Sequence, residues 1–300
     1  SSWQKTFFFK WKHCFQTTKI LKKIKPDVCL YLTPTLCSKT RIPSVLLLNH
    51  FKHINPQSVG NKEFDNKWHE KSIAFTDVIA SIPAFSLTDI PMGKNTYNIG
   101  IMGREIFKPL HYNAKQAVKE QYTEGKEYFA YKVTDELVTT INMLKAFSLF
   151  KKRQHSNMFL IMIVSSHSAF LQLQEKLATF KYKNDVILLK DLTLNELWKI
   201  IASAYAFIHL ENNALGLFAI EAMQCETPVI AAIDSFEKNM TLHAPLDNAE
   251  EISEQMQLLF KDESLRSQLI QNAKAVVEQM NWENVLNQLW MCIEKAINKY

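Results

Sequence analysis

Glycine is scarce: 6 residues in 300, where an ordinary globular chain carries about 7%. Loops that cradle phosphates need glycine where backbone amides must come close to a ligand. This sequence contains no G-x-G-x-x-G and no P-loop, and beyond Gly125 its one glycine is Gly216. A dinucleotide fingerprint and a Walker-type nucleotide site are thereby excluded. Long apolar runs are missing too. The longest, Met158 to Val164, is far short of the ~20 residues that cross a bilayer as a helix. No basic and apolar leader opens the chain, which begins Ser-Ser-Trp, and secretion is left open on that account. Cys14, Cys29, Cys37, Cys225 and Cys292 are scattered and odd in number. With no C-x-x-C pair they point to neither a zinc site nor a disulfide framework, and a reducing cytoplasm is the simplest compartment. Among nine histidines only His50 and His53 are close, and there is no H-E-x-x-H. No metal site is expected.

What is present describes a globular chain. A hydrophobic share of 47% with 22% charged residues over 300 positions suffices for two medium domains with separate cores. Charge divides them. Residues 1–112 carry 16 Lys+Arg against 7 Asp+Glu, net +9, and residues 113–300 carry 19 against 23, net −4. The basic part suits anionic surfaces such as phospholipid headgroups, with a solvated lysine-rich face as the plainer alternative. Since no nucleic-acid motif accompanies it, nucleic acid is not an expected partner.

Helical and strand-like runs alternate along the chain. Trp11 to Lys25 reads as a basic amphipathic helix and Val28 to Leu32 as a strand. Ser44 to Leu48 is a buried parallel strand opened by Pro43, and residues 77–81 and 97–101 are weaker strands. Pro109 to Lys126 is polar and turn-rich, and reads as a linker. Then come strand Tyr128–Val133, helix Val138–Lys152, strand Phe159–Val164, helix Ala169–Phe180 and strand Val186–Leu189. Helix Leu194–Ala204, strand Ala206–Leu210, helix Leu217–Gln224 and strand Pro228–Ile233 follow. Glu250 to Lys299 is helical throughout, with Trp282 and Trp290 as packing anchors. Repeated βα units imply parallel sheets covered by helices on both faces, an α/β class.

Several stretches carry a family resemblance: "KKIKPDVCLYL", "RIPSVLLLNH", "IGIMGREIFKPL", "LKDLTLNELWKIIASAYAFIHL" and "ENNALGLFAIEAMQCETPVIAA". In this order and spacing they resemble the family-4 retaining glycosyltransferases, especially bacterial mannosyl- and galactosyl-type members. The resemblance implies the GT-B architecture, two Rossmann-like domains facing across a cleft, here residues 1–112 on the acceptor side and 113–300 binding the donor. It also implies an N-terminal domain that lacks its first elements. The implied function is transfer of a hexose from a UDP- or GDP-sugar to a glycan or lipid-linked acceptor; the charge of the basic part adds the expectation of a cytoplasmic protein in peripheral contact with the inner face of an anionic membrane. No cofactor beyond that donor is implied.

The resemblance assigns residues as well. Glu221 takes the donor ribose, on a helix opened by Gly216 and Leu217. Asn213 stands where relatives place a carboxylate on the hexose, and by itself reads first as an ordinary turn residue. His50, or Asn49, matches a histidine near the sugar, and Gly103 matches a loop glycine. Relatives hold the diphosphate with two cations after the first C-domain strand. The aligned positions here are Leu137 and Val138, which cannot carry charge. Lys132 is the nearest substitute, or else a surface lysine at a strand end. An eroded donor site implies the alternative of an inactive pseudo-glycosyltransferase that serves as a binding or stabilising subunit.

Overall fold

A computed structural model describes residues 16–17, 19–32, 41–48, 71–81, 95–134, 137–211, 216–232 and 239–299. The chain divides into two compact units, residues 1–101 with 281–300, and residues 102–280. That partition differs from the expected boundary at 112. Gly103 and Arg104 belong to the second unit, and the last helix to the first.

The first unit holds a four-stranded parallel sheet in sequential order, β1 (Cys29–Tyr31), β2 (Ser44–Leu48), β3 (Val78–Ser81) and β4 (Asn95–Asn98). Its central strands are apolar on both faces, as strands covered from two sides must be. Leu46 and Ile79 meet Tyr31 and Ile73 on one face. Val45, Val78 and Ala80 point the other way, against Cys292 and Ala296. Those two residues lie on the final helix, which explains its attachment here. Asp77 fastens the strand entries: its Oδ2 accepts from the backbone N–H (3.1 Å) and hydroxyl (2.8 Å) of Ser44.

The second unit contains β5 (Tyr128–Lys132), β6 (Phe159–Val164), β7 (Val186–Lys190), β8 (Ala206–His209), β9 (Val229–Ala231) and β10 (Thr241–His243). They form one parallel sheet in the order β10-β9-β8-β5-β6-β7. The helices of this unit are α1 (Tyr112–Thr123), α2 (Leu137–Gln154), α3 (His167–Ala178), α4 (Leu194–Ser203), α5 (Leu217–Gln224), α6 (Ala249–Lys261) and α7 (Glu263–Val277), and α8 (Trp282–Ile297) closes the first unit. The chain runs outward from β5 to β7, returns beside β5 as β8, and continues the other way. Strand order therefore reverses between β5 and β8. The core is aromatic: Phe129 meets Phe150 edge to face at 5.2 Å, and Phe150 meets Phe260 at 5.4 Å. Truncating a buried phenylalanine of this kind costs ~3–5 kcal/mol.

Two expectations are corrected, and one strand is added that the sequence did not announce. The supposed linker Pro109 to Lys126 contains α1, a polar helix with only Val118 and Thr123 buried, ended by Glu124 in the left-handed conformation and then Gly125. β10 is a strand of only three residues, too short to show a period. Trp282 and Trp290 are not packing anchors. They are 39% and 60% exposed, and α8 seats itself through Cys292 and Ala296.

Candidate functional site

Crevices at the carboxyl ends of parallel strands, where strand order reverses, are where open α/β sheets bind ligands. In the second unit that place is the end of β5 and β8. Lys132 is the last residue of β5 and His209 the last of β8, with Glu211 two positions on. The Lys132 ammonium lies 3.3 Å from Glu211 Oε1 and 4.4 Å from the centre of the Phe218 ring. Lys132 is thus held at the switch point by a carboxylate and an aromatic face, not loose on the surface.

α5 begins beside them. Gly216 enters it with φ 52°, a conformation that costs other residues a Cβ clash and glycine nothing. Having no side chain, it caps none of the first-turn amides itself, and the helix carries its positive end at Leu217. One turn on, Glu221 is fully buried. Its Oε1 accepts from Arg104 Nε (2.5 Å) and from the Arg104 backbone N–H (3.3 Å), and its Oε2 accepts from Arg104 Nη2 (2.8 Å). The guanidinium, raised in pKa chiefly by these bonds, also lies 4.8 Å from the Phe107 ring centre and 5.7 Å from that of Phe218.

Gly103 makes this clamp possible. Its φ is not left-handed. The constraint is close approach, because a Cβ there would come within 2.9 Å of Glu221 Cγ and would also strike the Gln224 side chain. Trp198 ties the same loop down, donating its indole N–H to Lys108 O at 2.8 Å.

Two buried groups complete the surroundings. His209 has its pKa lowered to about 4, first by burial; Glu211 opposes the shift and Lys132 adds to it. A neutral imidazole therefore sits at the end of β8, and its Nε2 has no hydrogen-bond partner among the described residues. Burial pushes the Cys225 thiol up, with Glu221 adding to the effect, so the thiol is not a nucleophile at neutral pH.

The structure brings Lys132, Gly216, Leu217, Glu221 and Gly103 into one part of the second unit. His50 and Asn213 lie outside the described residues. Leu137 and Val138, at the start of α2, are 37% and 69% exposed, so apolar side chains stand at the surface at the two positions the resemblance aligns with cations. Arg104 is not marked by the sequence. Its one local signal is a charge beside Gly103, and its partner lies 117 positions away. Among the described residues no cluster of His, Cys, Asp and Glu could hold a metal, and no helix is long and apolar enough to cross a membrane.

Solved structures share the fold at low identity. Sucrose-phosphate synthase from Thermosynechococcus elongatus is similar at 15% identity and a TM-score of 0.79, over 99% of this chain and 80% of that one. A glycosyltransferase from Rickettsia africae is similar at 13% identity and a TM-score of 0.75, over 98% and 83%. Anabaena Alr3699/HepE, in complex with UDP and glucose, is similar at 12% identity and a TM-score of 0.76, over 92% and 80%. The two parallel-sheet α/β domains are those of the GT-B architecture. No curated protein is significantly similar in sequence. The family model described as glycosyl transferases group 1 matches residues 116–276. That stretch runs from α1 to the end of α7, contains the whole second sheet and exceeds half of the chain, and by it the protein belongs to the glycosyl transferases group 1 family.

Proposed function

We propose that the protein moves a hexose from a UDP- or GDP-sugar to a glycan or lipid-linked acceptor with retention of anomeric configuration. The observation that carries this reading is the meeting of Lys132 with Glu211 and with Phe218 on the first turn of α5 at the strand-order reversal. Breaking the glycosidic bond leaves a nucleoside diphosphate, and charge grows on its outer phosphate. Lys132 and the first-turn amides at Leu217 are placed to stabilise that charge; one such donor is worth ~3 kcal/mol in a transition state. The solved Anabaena relative holds UDP and glucose, which supports a nucleotide-sugar donor here. His50 and Asn213 keep the sugar-side roles given by the resemblance. The basic residues 1–112 supply the side suited to an acceptor at an anionic membrane.

The exposed Leu137 and Val138 favour a second reading, a pseudo-glycosyltransferase that serves as a binding or stabilising subunit. Calorimetric titration with UDP, GDP and their common sugar conjugates separates the two. Micromolar binding, weakened about tenfold by Lys132→Ala, is the expected result. No heat with any nucleotide from folded protein would overturn the donor reading and leave the second.

A further inference from the structure

The Arg104–Glu221 pair has one sealed member and one open member. The carboxylate side chain is 0% exposed and the guanidinium side chain 39%. Three N–H groups of Arg104 already occupy the two carboxylate oxygens. A ligand arriving at this point therefore meets the arginine and reaches the carboxylate only by removing it. The guanidinium has five N–H donors. Glu221 engages Nε and one hydrogen of Nη2, so three donors remain for a ligand. Phe107 and Phe218 fix the plane of the group, and the ring of Phe218 also carries Lys132. Two cations thus gather about one aromatic ring on the first turn of α5.

Resting on the donor reading above, we infer that Arg104, together with Lys132, takes the donor diphosphate, and that Glu221 is a positioning residue that aims Arg104 instead of a direct ligand of the ribose. The cations absent at Leu137 and Val138 are then replaced from a different part of the chain. A planar fork held at one edge by a carboxylate and open at the other suits bidentate binding of phosphate oxygens. Gly103 is the structural condition for it, since no other residue lets this loop lie so close to Glu221.

The test is titration of the full chain with UDP, GDP and the matching monophosphates. Arg104→Gln should lower diphosphate affinity about tenfold or more, the worth of one charge-assisted hydrogen bond, and reduce the preference for diphosphate over monophosphate. Adding Glu221→Ala to Arg104→Gln should cost nothing further, and the 2′,3′-dideoxy forms of UDP and GDP should bind wild-type protein within about threefold of the ribonucleotides. A further loss in the double variant, or dideoxy nucleotides bound about tenfold more weakly, would return Glu221 to the ribose and overturn the inference. Should Arg104→Gln fail to fold by its thermal melt, Arg104→Lys takes its place. It keeps the charge and loses the fork, and unchanged affinity there overturns the inference too. Wild-type binding that Arg104→Gln leaves untouched refutes the role of Arg104 alone. Folded wild-type protein that binds no nucleotide refutes the donor reading beneath it.

Discussion

Gly103→Ala probes the Arg104–Glu221 clamp without touching either charge. The added methyl would stand 2.9 Å from Glu221 Cγ and inside the contact distance of Gln224. Gln224 can yield, because its side chain is flexible and its Oε1 is buried with no hydrogen bond to lose among the described residues. Glu221 cannot yield cheaply. Moving its Cγ by a few tenths of an ångström shifts a buried carboxylate that accepts bonds of 2.5 and 2.8 Å from a guanidinium held against two rings. Overpacking of this kind costs ~1–3 kcal/mol. In a Glu221→Ala background the offending Cγ is gone, and the same methyl should cost little. The coupling between the two substitutions should be at least ~1 kcal/mol. Because the chain has two compact units, hydrogen exchange of β8 and α5 amides is the suitable assay, reading the opening free energy of the second unit by itself. A penalty under ~0.5 kcal/mol for Gly103→Ala, or an equal penalty in both backgrounds, would refute the close-approach reasoning.

Acid should weaken the second unit through His209. Unfolded, this imidazole takes a proton near its ordinary 6.5, whereas in the fold it resists protonation down to about 4. The unfolded chain thus binds more protons between those values, and stability falls as pH drops through that window, by up to ~1.4 kcal/mol per pH unit. His209→Leu should flatten the slope in urea denaturation followed from pH 7 to 4.5, and an unchanged slope would assign the acid sensitivity elsewhere. At the start of α4, Thr193 Oγ1 accepts from the Glu196 N–H at 3.3 Å while Glu196 Oε2 accepts from the Thr193 N–H at 2.8 Å. Thr193→Ala should cost ~1 kcal/mol by thermal or chemical melting, and no loss would mean that this exposed capping box is not populated in solution.

Much of the fold is legible in the order of the residues, for a local reason. Side chains buried on both faces of a strand make short continuous apolar runs, so Ser44–Leu48 and Phe159–Val164 announce themselves, and Leu217–Gln224 follows from Gly216 and the apolar residues after it. α1 is hidden because it buries only Val118 and Thr123 and carries polar side chains elsewhere. The candidate site divides along the same line. Gly216 and Glu221 stand in a recognisable linear pattern, and a sequence displays such patterns directly. Arg104 does not, since its meaning depends on a partner 117 residues away. By itself the sequence determined the alternation of strands and helices, the apolar faces and the charge of each half, all properties of near neighbours along the chain. Tertiary structure alone decided that α8 closes the first sheet, that Lys132 meets Glu211, and that Arg104 covers Glu221. Each of these joins distant segments, and their apposition depends on packing the sheets and loops, which no local propensity encodes.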